Sequence, residues 1–224
     1  MKQAPAFRAV LLDWRGTLVD DPPDEWWVRA ALQRVGRDAG PHQVAAWCAA
    51  LRGAAEQPEI VAGEASCDCS FEQHREWSLA WFALAGLDDE LALALYALDL
   101  EAASHPFFPD VAFVLRALHE RGCRIAVVSN IHFDLRPEFA AAGLAEYVDA
   151  FVLSFELGMQ KPDPRLFERA LDALAVDATE ALMVGDQPGL DGGAIRAGLA
   201  TWLLPGGARA DRPRGLDRLL TLAV

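Results

Sequence analysis

At 224 residues, 53% hydrophobic and 24% charged, the chain is long enough for one α/β core plus an inserted segment, and too apolar to stay disordered. A formal net charge of −13 argues against nucleic acid or anionic lipid as the main partner, because the overall field repels both. A small anionic substrate remains compatible, since a few local cations can override that field.

The first predicted element is a strand over residues 8–13, an apolar run that breaks into polar residues and a glycine, as a buried parallel strand does where it enters a loop. Residues 22–105 read differently. Helical patterns appear over 26–37, 41–51, 71–85 and 88–102, a Gly/Ala/Glu-rich stretch at 53–70 reads as a loop, and no strand interrupts them. A helix follows from Asp110, with Val111, Val114, Leu115 and Leu118 on one face and Gly122 as its stop. Further strands are predicted over 124–129, 150–154, 181–185 and 201–204. Between them lie one helix opened by Asp163 and Pro164, with Leu166, Phe167, Ala170, Leu171 and Leu174 on a stripe, and another over 188–197. Residues 206–214 read as an exposed Arg/Gly/Pro segment before a short helix over 216–222.

Strands alternating with helices imply a Rossmann-like, doubly wound parallel sheet with right-handed crossovers. The all-helical block cannot join that sheet layer. The expected division is therefore an α/β core of residues 1–20 and 106–224 and an all-α cap of residues 21–105, with hinges near 20–23 and 105–108.

No apolar run approaches the roughly 20 residues of a membrane span. Met1–Ala6 is too short and polar for a secretory signal, so a cytoplasmic protein, monomer or homodimer, is expected. Of the four cysteines, Cys48, Cys67, Cys69 and Cys123, only Cys67-Asp68-Cys69 with His74 nearby suggests a metal, and without a second pair it reads as reduced thiols. The basic residues are skewed: Lys2 and Lys161 are the only lysines, and Asn130 is the only asparagine.

Ligands of a parallel α/β sheet sit at the carboxyl ends of its strands. Four polar clusters fall there: Asp13-Trp14-Arg15-Gly16-Thr17, Ser129-Asn130, Lys161 in Gln160-Lys161-Pro162-Asp163-Pro164, and Gly185-Asp186 continuing to Asp191. Singly, each is an ordinary turn or cap. In this order, and with the Gly/Ala-rich run over 192–198, they resemble the four motifs of the haloacid dehalogenase-like (HAD) hydrolases over nearly the whole chain.

That resemblance implies Asp13 as nucleophile and a Mg²⁺ held by Asp13, Asp186, Asp191 and the backbone carbonyl of Arg15. It also implies phosphate contacts from Thr17, Ser129 and Lys161, with Asn130 either touching substrate or holding the turn after the second strand. The chemistry is consistent: carboxylates attack phosphorus or carbon covalently, and three clustered carboxylates need a cation. One position departs. Family phosphatases carry a proton-transferring Asp where this chain has Arg15, and arginine keeps its proton at any relevant pH. Three readings follow: a Mg²⁺-dependent phosphohydrolase or phosphotransferase in which Arg15 binds an anion; a metal-independent enzyme acting at a carbon centre, against which Asp186 and Asp191 argue; or a binding module in which Arg15 replaces the metal among the three carboxylates. The cap aromatics Trp26, Trp27, Trp47, Trp77, Trp81 and Phe82 read as its core, one or two of them lining a substrate pocket with Trp14. Arg29, Arg34 and Arg75 face either that pocket or solvent.

Overall fold

The structure, a computed structural model, describes residues 7–222; the expectation for Met1–Ala6, and Lys2 with it, lies outside that range. Five strands, β1 (Ala9–Leu12), β2 (Arg124–Ser129), β3 (Ala150–Leu153), β4 (Ala181–Gly185) and β5 (Ala200–Leu203), form one parallel sheet in the order β3-β2-β1-β4-β5. β1 is central and fully apolar because both its faces are covered. Val10 and Leu12 meet the side packed by α6 (Val111–Glu120), while Ala9 and Leu11 meet the side packed by α9 (Pro164–Leu174). The register sets Leu12 level with Val127 and Val184, so the residues just past these strands emerge together. Strand order reverses between β1 and β4, and that reversal opens the crevice where such sheets bind ligands.

Between β1 and α6 the chain forms α1 (Asp24–Arg34), α2 (Pro41–Ala55), α3 (Pro58–Glu64), α4 (Phe71–Leu84) and α5 (Asp89–Asp99). Ser70 and Asp88 cap α4 and α5 by accepting from the Gln73 and Leu91 N–H groups. These helices bury a core of their own around Val28, Leu32, Val44, Leu51, Phe82, Leu91 and Leu95. The two crossings between this block and the sheet run side by side: Val19 bridges Phe107, and the Asp20 N–H donates to the Pro106 carbonyl. None of the described helices is long and apolar enough to cross a membrane.

Several expectations change. The stretch 53–70 is not a loop: α2 runs on to Ala55, α3 starts at Pro58, and a 3₁₀ turn spans Cys67–Cys69. Proline at a first helical position, already lacking a usable N–H, starts α3 as it starts α2. The predicted helix over 188–197 is a 3₁₀ helix over Asp191–Ala197, because the Asp191 side chain ties up the preceding turn by accepting from the Asp186 and Gln187 N–H groups. The C-terminal helix is likewise 3₁₀, Leu216–Thr221. Short helices α7 (Arg136–Ala141) and α8 (Ser154–Leu157) had no pattern long enough to show.

Candidate active site

At the carboxyl ends of β1 and β4, Asp13, Asp186 and Asp191 each bring one carboxylate oxygen within 4.8 Å of the others. Lys161 lies among them, its ammonium donating to Asp13 Oδ1 at 2.6 Å and Asp191 Oδ1 at 2.7 Å. Burial works against the Lys161 charge, yet Asp13 and Asp191 more than offset it and hold the ammonium above its ordinary pKa. Burial pushes the Asp13 carboxyl up, Lys161 pulls it down and Asp191 pushes it up again, for a net rise. Asp186 has no such partner. Burial, then Asp13, then Asp191 lift its pKa to about 7, and its Oδ1 is buried with no hydrogen-bond partner. Three carboxylates against one ammonium leave an excess of negative charge in a poorly solvated place, which suits a hard divalent cation.

The backbone permits this crowding at two glycines. A Cβ at Gly185 would lie 2.2 Å from the Asp191 carboxylate, and one at Gly16, whose φ is +71°, would lie 2.2 Å from Asp186 Oδ2. The Thr17 hydroxyl donates to Asp13 Oδ2 at 3.0 Å, fixing the carboxylate from its other side. Ser129 ends β2 against the same cavity, its hydroxyl 3.4 Å from the Asn130 carbonyl. Asn130 grips the backbone of Lys161 in both directions: its Oδ1 accepts from Lys161 N–H at 2.7 Å and its Nδ2 donates to the Lys161 carbonyl at 3.1 Å. The only asparagine thus holds the one described lysine in register.

Arg15 does not reach into the carboxylate cluster. Its guanidinium donates to Asp99 at the end of α5, crossing from the β1 loop to the helical block. Burial opposes its charge, but Asp99, then Asp21 and Asp68, raise its pKa. This geometry overturns the idea that Arg15 stands in for a metal among Asp13, Asp186 and Asp191; the cation found there is Lys161. Between sheet and helices lies a cavity of about 1160 Å³, lined by Asp13, Arg15, Ser129, Asn130, Lys161 and Asp191 on one side and by Trp27, Trp77, Trp81 and Phe82 on the other. Trp14 is not part of it: 1% exposed, it packs on Phe107 and Phe139 in the core. Arg29 and Arg34 point outward and pair with Glu25 and Glu101.

Arg214 also lies here, although residues 206–214 read as an exposed segment. It is buried, its Nε donating to the Gly16 carbonyl at 2.6 Å, and Asp186 opposes the downward pull of burial on its pKa. Asp110 holds this tail by accepting from the Arg214, Gly215 and Leu216 N–H groups. Nothing local distinguishes Arg214 from the other arginines of the chain.

Residues 7–198 match the family of haloacid dehalogenase-like hydrolases. The phosphoserine phosphatase of Thermus thermophilus is 38% identical over 126 residues, 55% of this chain and 49% of that protein, so the match spans about half the length of that relative. The ribulose-1,5-bisphosphate 5-phosphatase of Halopiger xanaduensis is 32% identical over 224 residues, 95% of this chain and 91% of that protein. Among solved structures, the L-2-haloacid dehalogenase of Xanthobacter autotrophicus is 22% identical with a TM-score of 0.64, covering 88% of this chain and 77% of that one. That last likeness is one of fold alone.

Proposed function

The chain belongs to the haloacid dehalogenase-like hydrolases, and from that premise we propose that it is a Mg²⁺-dependent phosphohydrolase or phosphotransferase acting on a small anionic phosphate ester. The observation that carries this reading is the cluster of Asp13, Asp186 and Asp191 with Asp186 Oδ1 buried and unpartnered. A carbon-centred, metal-free reaction gives that cluster no purpose. Asp13, Asp186 and Asp191, with the Arg15 carbonyl that the family resemblance implies, would hold the ion. Bound there, it would offset carboxylate charge and polarise a phosphoryl oxygen.

An Asp13 oxygen bonds to phosphorus as the ester P–O bond breaks, and Ser129 and Lys161 hold the phosphoryl oxygens. The leaving alkoxide takes its proton from solvent, because Arg15 keeps its own. Water then attacks the phosphorus of the aspartyl phosphate and gives its proton to solvent, releasing inorganic phosphate and restoring Asp13. Without a carboxylic acid at position 15, substrates whose leaving group needs no protonation are favoured, by about 10²- to 10⁴-fold over simple alkyl phosphates. Trp27, Trp77 and Trp81 give the leaving group an aromatic surface.

The test is hydrolysis of an activated aryl phosphate. Activity that needs Mg²⁺, vanishes on chelation and is absent from Asp13→Asn supports the reading. Halide release from a 2-haloacid without metal, and no phosphate release, would sink it.

A further inference from the structure

The same cavity has a second group of titratable side chains, Asp68, His74 and His132, which the phosphoryl chemistry leaves unused. One ligand atom from each lies within 4.8 Å of the others. His132 is the residue that needs explaining. Its side chain is 1% exposed and both ring nitrogens lack a hydrogen-bond partner. Nδ1 sits 3.6 Å from Asp68 Oδ1, and Nε2 sits 3.4 Å from Asp99 Oδ2, itself buried and unpartnered. A neutral imidazole has one N–H, so one of its nitrogens turns a lone pair toward a carboxylate. Such a contact is repulsive unless a cation, either a second proton on the ring or a metal ion, lies between them.

We propose that Asp68, His74 and His132 bind a divalent metal ion of borderline-soft character, of which Zn²⁺ is the type, where the helical block meets the sheet. The tautomers fit. Asp99 faces His132 Nε2 and the Ser78 hydroxyl lies 3.4 Å from His74 Nδ1, so each ring has an outer partner for its N–H. That leaves His132 Nδ1 and His74 Nε2, the two nitrogens that face Asp68 Oδ1, at 3.6 and 3.8 Å. Ligands about 2.0–2.1 Å from a tetrahedral Zn²⁺ lie about 3.4 Å apart, so each of these two distances to Asp68 Oδ1 is within a few tenths of an ångström of ligand spacing. Carboxylates and hydroxyls behind ligating histidines are the usual way such rings are oriented.

One adjustment is required. The two rings stack with centroids 3.4 Å apart and planes 3° from parallel, so a single ion cannot lie in both planes, and loading must turn the His74 ring out of the stack. Two nitrogens and one oxygen leave a fourth position toward the cavity for water or a substrate oxygen. They also separate the two sites by chemistry: all-oxygen ligation at Asp13, Asp186 and Asp191 suits Mg²⁺, and a histidine pair suits a transition metal. The neighbouring cysteines are engaged elsewhere: the Cys67 thiol donates to the Glu64 carbonyl and the Cys69 thiol to Gln160 Oε1.

Co²⁺ titration of the full chain in excess Mg²⁺ reads this site directly, through visible absorption bands that a Co²⁺ ion with nitrogen ligands in a low-symmetry site produces. One equivalent should bind, with affinity falling at least tenfold in Asp68→Asn, bands absent from His132→Ala and His74→Gln, and bands retained in Asp186→Asn. The two histidine variants guard against misfolding of either one, checked by circular dichroism. Absence of bands in the parent, or bands that survive both histidine variants, overturns the proposal, as does their loss in Asp186→Asn alone. Failure of the carboxylate site would instead show as lost Mg²⁺-dependent phosphate release with the Co²⁺ bands intact.

Discussion

Two clusters of buried charge face one cavity, and they are built differently. At the ends of β1 and β4, every carboxylate but one is tied down: Asp13 by Lys161 and Thr17, Asp191 by Lys161 and two backbone N–H groups. Where α5 and the Cys67–Cys69 turn approach β2, the Arg15–Asp99 pair is made, but His132 and one oxygen of Asp99 are left over. The first cluster is held by strand ends and their register, which leave little freedom. The second exists only because two separately packed layers meet, joined by Gln160, which accepts from the Asp68 N–H, and by Ser154, which donates to the Asp68 carbonyl. The sheet side is preorganised, and the seam is left with unfilled valences.

The largest break in this contrast is Asp13→Asn, which should lower kcat/KM for an aryl phosphate by on the order of 10⁴-fold or more while leaving the fold intact. Substantial residual turnover would remove Asp13 from the nucleophile's role. Lys161→Met should cost about 3–5 kcal/mol by denaturant unfolding, since it strands Asp13 and Asp191 as buried charges. By contrast Arg37→Ala, which breaks an exposed pair with Asp88 and Glu90, should cost under about 1 kcal/mol. Equal losses for the two would contradict the difference between a tied interior and a solvated surface.

On the seam side, Arg15→Asp alone is a poor way to supply the acid that the proposed mechanism lacks, because it sets a new carboxylate beside Asp99, Asp21 and Asp68. Combined with Asp99→Asn it should raise turnover of alkyl phosphates by about 10²-fold or more over the parent. No gain in the double variant would mean that position 15 does not govern proton transfer.

A pH-linked effect concerns His105, whose Nε2 lies 3.0 Å from the Asp99 carbonyl. Burial, then Arg15, lower its pKa to about 4, below the ordinary 6.5. The unfolded chain therefore takes up a proton at higher pH than the folded one, and stability is lost as pH falls from 6.5 toward 4. His105→Gln should reduce the stability lost across that window by about 3 kcal/mol, read from denaturant midpoints. An unchanged slope would show that His105 is not buried as a neutral ring.

Much of the sheet side was legible in the chain. Buried parallel strands read as apolar runs, and Asp13, Ser129 and Asp186 stand where those runs end, so their convergence follows from the strand register. The seam was barely legible. Residues 53–70 lack the length that makes helical periodicity visible, and only Pro58 at a first helical position hinted at α3. Asp99, His132 and Arg214 had no motif to mark them, since each matters through a distant partner: Arg15 lies 84 residues from Asp99, Asp68 lies 132 − 68 = 64 from His132, and Gly16 lies 198 from Arg214.

The sequence alone determined that Asp13 stands at the carboxyl end of a buried strand and that position 15 carries a side chain that keeps its proton. Local chemistry decides both: strand periodicity positions the one, and the guanidinium's basicity settles the other. Only the tertiary structure decided where Arg15 points. A long side chain can reach several carboxylates, and the choice of Asp99 over Asp13 depends on how α5 packs over the end of β1 and on Lys161 already occupying the place between Asp13 and Asp191.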